Sequence, residues 1–229
     1  MSQIYWRHFS WLVLAIFLVM STKPVSAKDI AALQELVNQG HTSLQNFVAD
    51  PNMGWFRKHV KDAKAVFIVP QLLRAGFIFG GSGGNGILLA RDENTRSWSD
   101  PAFYTMGSVS WGLQLGVQAA EVILMIMTVN GLDSMLSTKF QLGADASVAA
   151  GPVGVGAQAA TTDILAFSRT KGLFGGLTIE GAVITSRDKW SSTYYDQTVR
   201  PVDILIRREV SNVNAMVLRR TLTQSTDGG

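Results

Sequence analysis

A glycine-rich segment of seven residues, Gly80–Gly86, matches two known sequence motifs, one catalytic and one that binds a cofactor. It fits G-x-S-x-G with Ser82 as the serine, the pattern that presents a nucleophile on a sharp turn between a strand and a helix. From Gly81 to Gly86 it also fits G-x-G-x-x-G, which binds the pyrophosphate of a dinucleotide at the start of a helix. Ser82 is therefore the best candidate for a catalytic residue in this chain.

Neither motif has the context that its chemistry requires. Both need a helix directly after the glycines, and a serine hydrolase also needs a later histidine as its base. The glycines are followed instead by the short apolar run Ile87–Ala90, and the last histidine is His59. We therefore expect no catalysis, and we interpret the segment as a flexible glycine hairpin that joins two buried strands, Ala75–Phe79 and Ile87–Ala90.

A glycine hairpin of this kind can still bind an anion. Exposed backbone amides in such a loop form a concave nest for a phosphate group, and polar side chains add further donors. We expect the hairpin to be mobile and to project from the fold, because ordering glycine costs more backbone entropy than ordering any other residue. The loop candidates for headgroup binding are Ser82, Gly83, Gly84 and Asn85.

Basic residues form a second group with a recognisable spacing. The segment Met53–Lys61 is typical of a short helix, on which positions i, i+4 and i+7 share one stripe. The candidate headgroup-binding residues here are Arg57, Lys58, Lys61 and Lys64. Trp55 and Phe56 would enter the interface if this helix lay on a bilayer. The alternative is an ordinary amphipathic helix that packs its aromatic residues on the core and leaves its charges in solvent.

Other charged residues accompany the predicted strands. Lys171 lies at the tip of a predicted hairpin, and Arg187 and Lys189 come just after the next strand, so all three are candidate phosphate contacts. Glu121 and Asp145 lie in or beside apolar strand sequence. A carboxylate in such a place marks a site if burial raises its pKa. The commoner explanation is a partner, either an arginine or backbone amides.

Composition favours an exported protein of one domain. The chain has 229 residues and no cysteine, which excludes disulfides and thiolate metal sites. Residues 1–27 are typical of a signal peptide, since Arg7 precedes the apolar run Phe9–Met20 and small residues precede a cleavage point after Ala27. Without residues 1–27 the formal charge falls from +3 to +1, because two basic residues and no acidic residue are lost. This charge gives no argument for nucleic acid as a partner.

Residues 28–222 form a single predicted domain with the order helix, about eight strands, helix. Apolar residues alternate strictly from Val109 to Val117, and Val122–Val129 is continuously apolar, as in a strand buried on both faces. The pattern predicts a mainly β fold with flanking helices, in which about three helices pack on the surface of a small β-barrel core. Residues 223–229 are predicted to form a disordered tail.

Four further segments carry a family resemblance: Asp62–Val66 with the glycine-rich segment after it, Trp98–Pro101, Gly112–Gly116 and Lys171–Leu177. In this order they resemble the SYLF domain, also called the Ysc84 or DUF500 family. The resemblance spans nearly all of the chain after the signal peptide. It implies a β-barrel core with helices outside, and lipid binding with affinity for phosphoinositide headgroups. It implies no catalytic residues.

We therefore expect a protein without a cofactor or metal that binds anionic lipid, with phosphoinositide-like headgroups, at a membrane surface in the bacterial envelope. The signal peptide predicts export to the periplasm, where the protein would be peripheral to a membrane. Three alternatives stay open: a structural or scaffold protein of the periplasm or outer membrane, a carrier of an apolar ligand in a hollow barrel, and an integral outer-membrane barrel. Eukaryotic members of the family bind actin, which we do not expect here.

Overall fold

The computed structural model describes residues 27–76, 79–111, 116–151, 162–170 and 179–227. Residues 1–26 of the predicted signal peptide and the candidate Lys171 lie outside these ranges, as do the strand segments predicted within 152–161 and 171–178.

Helices surround a single sheet in the described part of the chain. Six α-helices are present: α1 (Ala27–Ala49), α2 (Gly54–His59), α3 (Val129–Leu136), α4 (Asp188–Tyr195), α5 (Pro201–Leu205) and α6 (Met216–Asp227). Three short 3-10 helices accompany them at Pro51–Met53, Val60–Asp62 and Val213–Ala215. None of the helices in the described ranges is both long enough and apolar enough to cross a membrane.

The sheet has eight strands in the order β5-β8-β3-β2-β1-β4-β7-β6. The strands are β1 (Ala65–Gly76), β2 (Phe79–Ala90), β3 (Ala102–Trp111), β4 (Gly116–Ile126), β5 (Lys139–Gln141), β6 (Val148–Ala150), β7 (Ile164–Thr170) and β8 (Val183–Ser186). All neighbouring pairs are antiparallel except β6 and β7, which are parallel. The alternating segment from Val109 to Val117 is therefore divided between the end of β3 and the start of β4.

The sheet is strongly curled, because its two edge strands are consecutive in the chain. A flat sheet of eight strands would place its edges about 34 Å apart. Only residues 142–147 connect β5 to β6, and so few residues span at most about 25 Å. This connection contains a tight turn, in which the Gly143 N–H donates to the Ala146 carbonyl at 2.8 Å.

The observed architecture is a curled half-barrel with six helices, so the predicted small barrel with about three helices is only partly correct. The eight strands within the described ranges equal the predicted number, although the strand segments predicted within 152–161 and 171–178 lie outside those ranges. The edge strands have three residues each and pair with β8 and β7, not with each other. Helices α3 to α5 are short segments between or after strands, and their sequences are too brief to give a strong helical period.

Both faces of the central strands are buried. In β4, Val122, Leu124 and Ile126 face one apolar cluster, and Ile123 and Met125 face another. The prediction of a strand buried on both sides is thus confirmed for Val122–Ile126, whereas the predicted end at Val129 was wrong, because Val129 begins α3 and is exposed. The second cluster lies under the helices and includes Leu33 and Phe47 of α1 and Leu218 of α6, so these helices cover one face of the sheet.

Helix α1 continues without a break through Gly40. A Cβ atom at Gly40 would lie 2.5 Å from Cδ1 of Ile87 on β2. The glycine is therefore explained by the close approach of α1 to the sheet. Residues 223–227, predicted to be part of a disordered tail, form the last turns of α6. Leu222 and Thr226 are buried, and their packing explains why the helix extends this far.

The glycine-rich segment Gly80–Gly86 is not a projecting hairpin, and that prediction was wrong. It is part of β2, which pairs with β1 on one side and β3 on the other. A Cβ atom at Gly84 would lie 2.6 Å from the Gln71 carbonyl oxygen, next to an irregularity in the pairing of β1. The glycines thus allow neighbouring strands to approach closely where the sheet bends. Residues 77 and 78, which separate β1 from β2 in the chain, lie outside the described residues.

Candidate functional site

The predicted basic helix exists, and its aromatic residues pack inward. Residues 54–62 form α2 and one 3-10 turn. Phe56 is fully buried and makes an edge-to-face contact with Phe167 at 5.4 Å between ring centroids. Trp55 stacks on His59 at 3.9 Å and also contacts Phe167. The aromatic residues therefore belong to the core side of this helix, as the alternative interpretation expected.

Arg57 points away from the other predicted cations. Its Nη1 donates to the carbonyls of Val48, at 3.2 Å, and Asp50. These carbonyls belong to the C-terminal end of α1 and the turn after it, where backbone acceptors lack helical partners. The contacts thus give Arg57 a structural role in joining α1 to α2.

Lys61 and Lys64 meet two arginines from a distant segment. Together with Arg91 and Arg96 they line a small open groove of about 280 Å³, which we call the basic cleft. The cleft forms because the Arg91 N–H donates to the Lys64 carbonyl at 2.7 Å, which joins the end of β2 to the start of β1.

The arginine side chain at the centre of the cleft is held by backbone groups. Nη1 of Arg91 donates to the Lys61 carbonyl, and Nε donates to the Arg96 carbonyl at 3.3 Å. Both acceptors are neutral, so these bonds orient the guanidinium without cancelling its charge. Lys64 also forms an ion pair with Glu93.

The turn after β2 presents the remaining groups of this region. The Asp92 carboxylate accepts the N–H groups of Thr95 and Asn94 at 2.7 and 2.9 Å, and these bonds, led by that from Thr95, lower the pKa of Asp92. Arg208 binds the same turn through the Ser97 carbonyl at 2.9 Å.

The wall of the basic cleft also contains acidic residues. Its four basic residues are Lys61, Lys64, Arg91 and Arg96, and its three carboxylates are Asp62, Asp92 and Glu93, so the formal charge of the lining is +1. Glu93 is paired with Lys64, whereas the neutral partners of Arg91 leave the guanidinium charge in place. Lys58 is exposed on α2 and does not line the cleft.

The other sequence candidates lie elsewhere. The guanidinium of Arg187 stacks over Trp190 at 4.6 Å and Lys189 is exposed on α4, and neither lines the basic cleft. Ser82 lies in the middle of β2 with its Oγ atom 2.7 Å from that of Ser108, where no strand-to-helix turn exists. The backbone of Gly83 and Gly84 pairs within the sheet, so the amide nest predicted there is not formed.

A second candidate site lies between α1 and the end of the sheet. There an open cavity of about 700 Å³, which we call the polar cavity, contains a network centred on Arg169. Nε of Arg169 donates to Asp50 at 2.9 Å, and Nη1 donates to Glu121 at 2.8 Å. Glu121 also accepts from Ser43 at 2.9 Å and Asn46 at 2.8 Å.

These contacts explain the two carboxylates that stand out in the sequence. Glu121 is paired with an arginine, and Asp145 accepts the Gln141 N–H at 2.7 Å. Both fit the commoner explanation given above. The pKa of Asp50 is lowered, chiefly because its carboxylate accepts the Asn52 N–H and also faces Arg169. Within the described ranges no cluster of histidine and carboxylate groups is suited to hold a metal ion.

Both sites are lined by charged and hydrogen-bonding side chains of a curled half-barrel domain. The chain belongs to the Ysc84 family, whose model, described as "Las17-binding protein actin regulator", matches residues 107–225. The resemblance found in the sequence is thereby confirmed.

The alignments with individual relatives cover less than half of each relative's own length. Over 144 residues the chain is 31% identical to LAS seventeen-binding protein 3 of Saccharomyces cerevisiae, an alignment that covers 59% of this chain and 31% of the relative. Over 152 residues it is 26% identical to SH3 domain-containing YSC84-like protein 1 of Bos taurus, covering 64% and 44%. The chain thus spans less than half the length of these relatives. No solved structure matches it.

Proposed function

We propose that this protein binds, without catalysis, to membrane surfaces that carry anionic lipid, and that the basic cleft receives the phosphate of a headgroup. The observation that carries the proposal is the convergence of Lys61, Lys64, Arg91 and Arg96 around one groove. Lysine and arginine near an anionic membrane surface contribute about 1 kcal/mol each to binding.

The cleft also has a suitable arrangement for a phosphate group. An arginine fork can donate two parallel hydrogen bonds to phosphate oxygens, and orienting it beforehand reduces the entropy lost on binding. The backbone contacts of Arg91 provide this orientation. Lysines at the rim, Lys61 and Lys64, supply further charge.

An exposed apolar stripe at the start of α6 is a second feature that favours a bilayer as the partner. Val213, in the 3-10 turn before α6, and Met216 and Val217 lie at helical spacing and are 69%, 41% and 58% exposed, whereas Leu218 and Leu222 on the opposite face of α6 are buried. Arg220 continues the exposed stripe by one turn. Apolar residues flanked by cations are typical of surfaces that lie in the membrane interface. Helix α6 ends beside the basic cleft, since Thr226 lines a groove with Lys61 and Arg91.

Family membership supports a binding role in general terms. The yeast relative is named for binding to LAS seventeen, and that partner is a property of the relative. In this chain, export to the periplasm and a preference for phosphoinositide-like headgroups are parts of the proposal. A scaffold that binds protein or glycan instead of lipid is the main competing function.

Vesicle flotation of the purified protein tests the proposal. We expect the protein to float with vesicles that contain anionic phospholipid at low salt, and to float much less with vesicles of neutral phosphatidylcholine. Raising the ionic strength to about 0.5 M should release it, because salt screens surface charges over a few ångströms. Equal recovery with both vesicle types would contradict the electrostatic part, and no flotation with either type would favour the scaffold.

A further inference from the structure

The polar cavity has one wall made by helix α1. The apolar face of α1 packs on the sheet, and beside it the helix lines the cavity with a polar stripe of Asn38, Gln39, Thr42, Ser43 and Asn46. Within this stripe Ser43 is buried, Asn46 is half-buried, and Asn38, Gln39 and Thr42 are exposed at the open side of the cavity. The cavity volume of about 700 Å³ lies within the usual range of small-molecule sites.

The charges of the cavity argue against an anionic ligand. Glu35, Asp50 and Glu121 line it together with the single cation Arg169, which gives a formal charge of −2. Arg169 already donates to two carboxylates. A phosphate or carboxylate group would meet net repulsion here, so this cavity and the basic cleft are suited to different ligands.

The carboxylates are also largely engaged, which argues against a cation. The two oxygens of Glu121 accept from Ser43 and Asn46 on one side and from Arg169 on the other. The oxygens of Asp50 accept from the Asn52 N–H and from Arg169. An ammonium group would compete with these existing donors.

The remaining chemistry of the cavity suits hydroxyl groups. The side chains of Asn38, Gln39, Asn52 and Gln71 each carry both a hydrogen-bond donor and an acceptor, as a hydroxyl group does. Asn38 accepts from Gln34 at 2.9 Å and Gln39 donates to Glu35 at 3.0 Å, which leaves the Asn38 amide group as a donor and the Gln39 carbonyl as an acceptor for a ligand. Pro70, Ala119 and Ala120 give the cavity a small apolar patch. A sugar ring has hydroxyl groups at its rim and apolar C–H groups on its faces, and it matches this combination of walls.

We propose that the polar cavity binds an uncharged sugar or a closely related polyol. This proposal does not rest on lipid binding, because the cavity and the basic cleft have no lining residue in common. The sugar could reach the cavity as a soluble saccharide or as the headgroup of a glycolipid, and the chemistry of recognition is the same for both.

Titration of the full-length protein, followed by NMR chemical shifts or calorimetry, tests this inference. The probes are glucose, N-acetylglucosamine and its β-1,4 disaccharide, with inorganic phosphate and ethanolamine as charged controls. We expect saturable binding of at least one sugar, with shifts confined to residues of the cavity, and weaker binding of both charged probes. Vesicles that display the same sugar on a lipid separate the two sources, and binding in either form supports the proposal.

Two variants make the test independent of folding problems. Ala119→Trp should fill the cavity, and Asn38→Ala with Gln39→Ala should remove polar groups from the exposed side of α1, each lowering sugar affinity by about tenfold or more. The α1 double variant retains every contact of the Arg169 network, so it should fold even if the tryptophan is not tolerated. The absence of saturable sugar binding, or tighter binding of phosphate or ethanolamine, would overturn the proposal. Equal sugar affinity in the α1 double variant would overturn it as well.

Discussion

Arg169 and Glu121 are direct cross-strand partners on β7 and β4, and their side chains meet at 2.8 Å. The same guanidinium reaches Asp50 in the turn after α1, so one arginine joins two strands to the helix layer. The three side chains are 15–30% exposed, which places this network between a surface and a buried ion pair. Breaking it should therefore cost more than a solvent-exposed pair usually does.

We predict that Arg169→Ala lowers the free energy of unfolding by about 1–3 kcal/mol, because it leaves two carboxylates close together without their cation. Denaturant unfolding measures this difference. The matched control is Arg207→Ala, which removes a half-exposed arginine from its pair with Asp203 and should cost about 0.5 kcal/mol. Similar losses in the two variants would contradict a special role for Arg169.

The second prediction concerns glycines that the sheet needs for close approach. A Cβ atom at Gly84 would lie 2.6 Å from a backbone oxygen, whereas one at Gly83 would have nothing within 4 Å. We expect Gly84→Ala to destabilise the fold by about 1–3 kcal/mol, since backbone must move to accept it, and Gly83→Ala to be close to neutral. Thermal or chemical unfolding of both variants checks this. Equal stabilities would mean that the segment is a loose loop after all.

The third prediction is a dependence of stability on acid. Hydrogen bonds from Thr128 and Ser147 lower the pKa of Asp163 to about 2, from an ordinary value of 3.8. A depressed pKa contributes stability that is present above the unfolded value and is lost as the pH falls from about 4 towards 2. We expect this contribution to be about 1 kcal/mol, after allowance for solvent screening.

Comparison of wild type with Asp163→Asn, by chemical unfolding between pH 5 and about 2, measures that contribution. The variant should be less stable at pH 5 and should show a shallower loss of stability on acidification. Parallel curves for the two proteins would show that Asp163 does not titrate in this range. The control Asp145→Asn removes a carboxylate from the connection between β5 and β6, where it accepts the Gln141 N–H.

The fourth prediction concerns the apolar stripe of α6. Val213→Ser with Val217→Ser should reduce binding to anionic vesicles by about tenfold or more, because two exposed side chains no longer enter the interface. Stability should change little, since both side chains are more than half exposed. The control Val109→Ser with Val129→Ser changes two valines that are 85% and 57% exposed on β3 and α3. Equal vesicle binding by both double variants would exclude α6 from the interface.

Local sequence patterns predicted the elements of the fold better than their arrangement. The predicted strand Val122–Val129 is found as far as Ile126, and the predicted helix Met53–Lys61 corresponds to α2 and the 3-10 turn after it. The glycines of β2 were misassigned, because their role depends on a neighbouring strand and on an irregular pairing that adjacent residues do not encode. A glycine-rich segment in a curled sheet has the same composition as a flexible loop.

The candidate sites are formed by residues from distant segments of the chain, so they were harder to predict from the sequence than the helices and strands. Lys61 and Lys64 were predicted from helical spacing, whereas Arg91 and Arg96 were missed because strand pairing brings them to the cleft from a turn about 30 residues away. Their only local signal was a cluster of charged residues directly after an apolar strand. The sequence analysis predicted that Glu121 would pair with an arginine or with backbone amides. It could not identify Arg169 as the partner, because the two residues are 48 positions apart in the chain.

Reversal of charge in the basic cleft tests the central claim most directly. The measurement is the affinity for anionic phospholipid vesicles of Lys61→Glu with Arg96→Glu, compared with the control Lys139→Glu with Lys189→Glu. The control makes the same change in net charge at two exposed positions outside the cleft. The backbone carbonyls that hold Arg91 are retained in the cleft variant, so the fold should be preserved. We predict that the cleft variant loses at least about tenfold in affinity while the control stays within about threefold of wild type. Equal losses in both variants would contradict the cleft as the binding site.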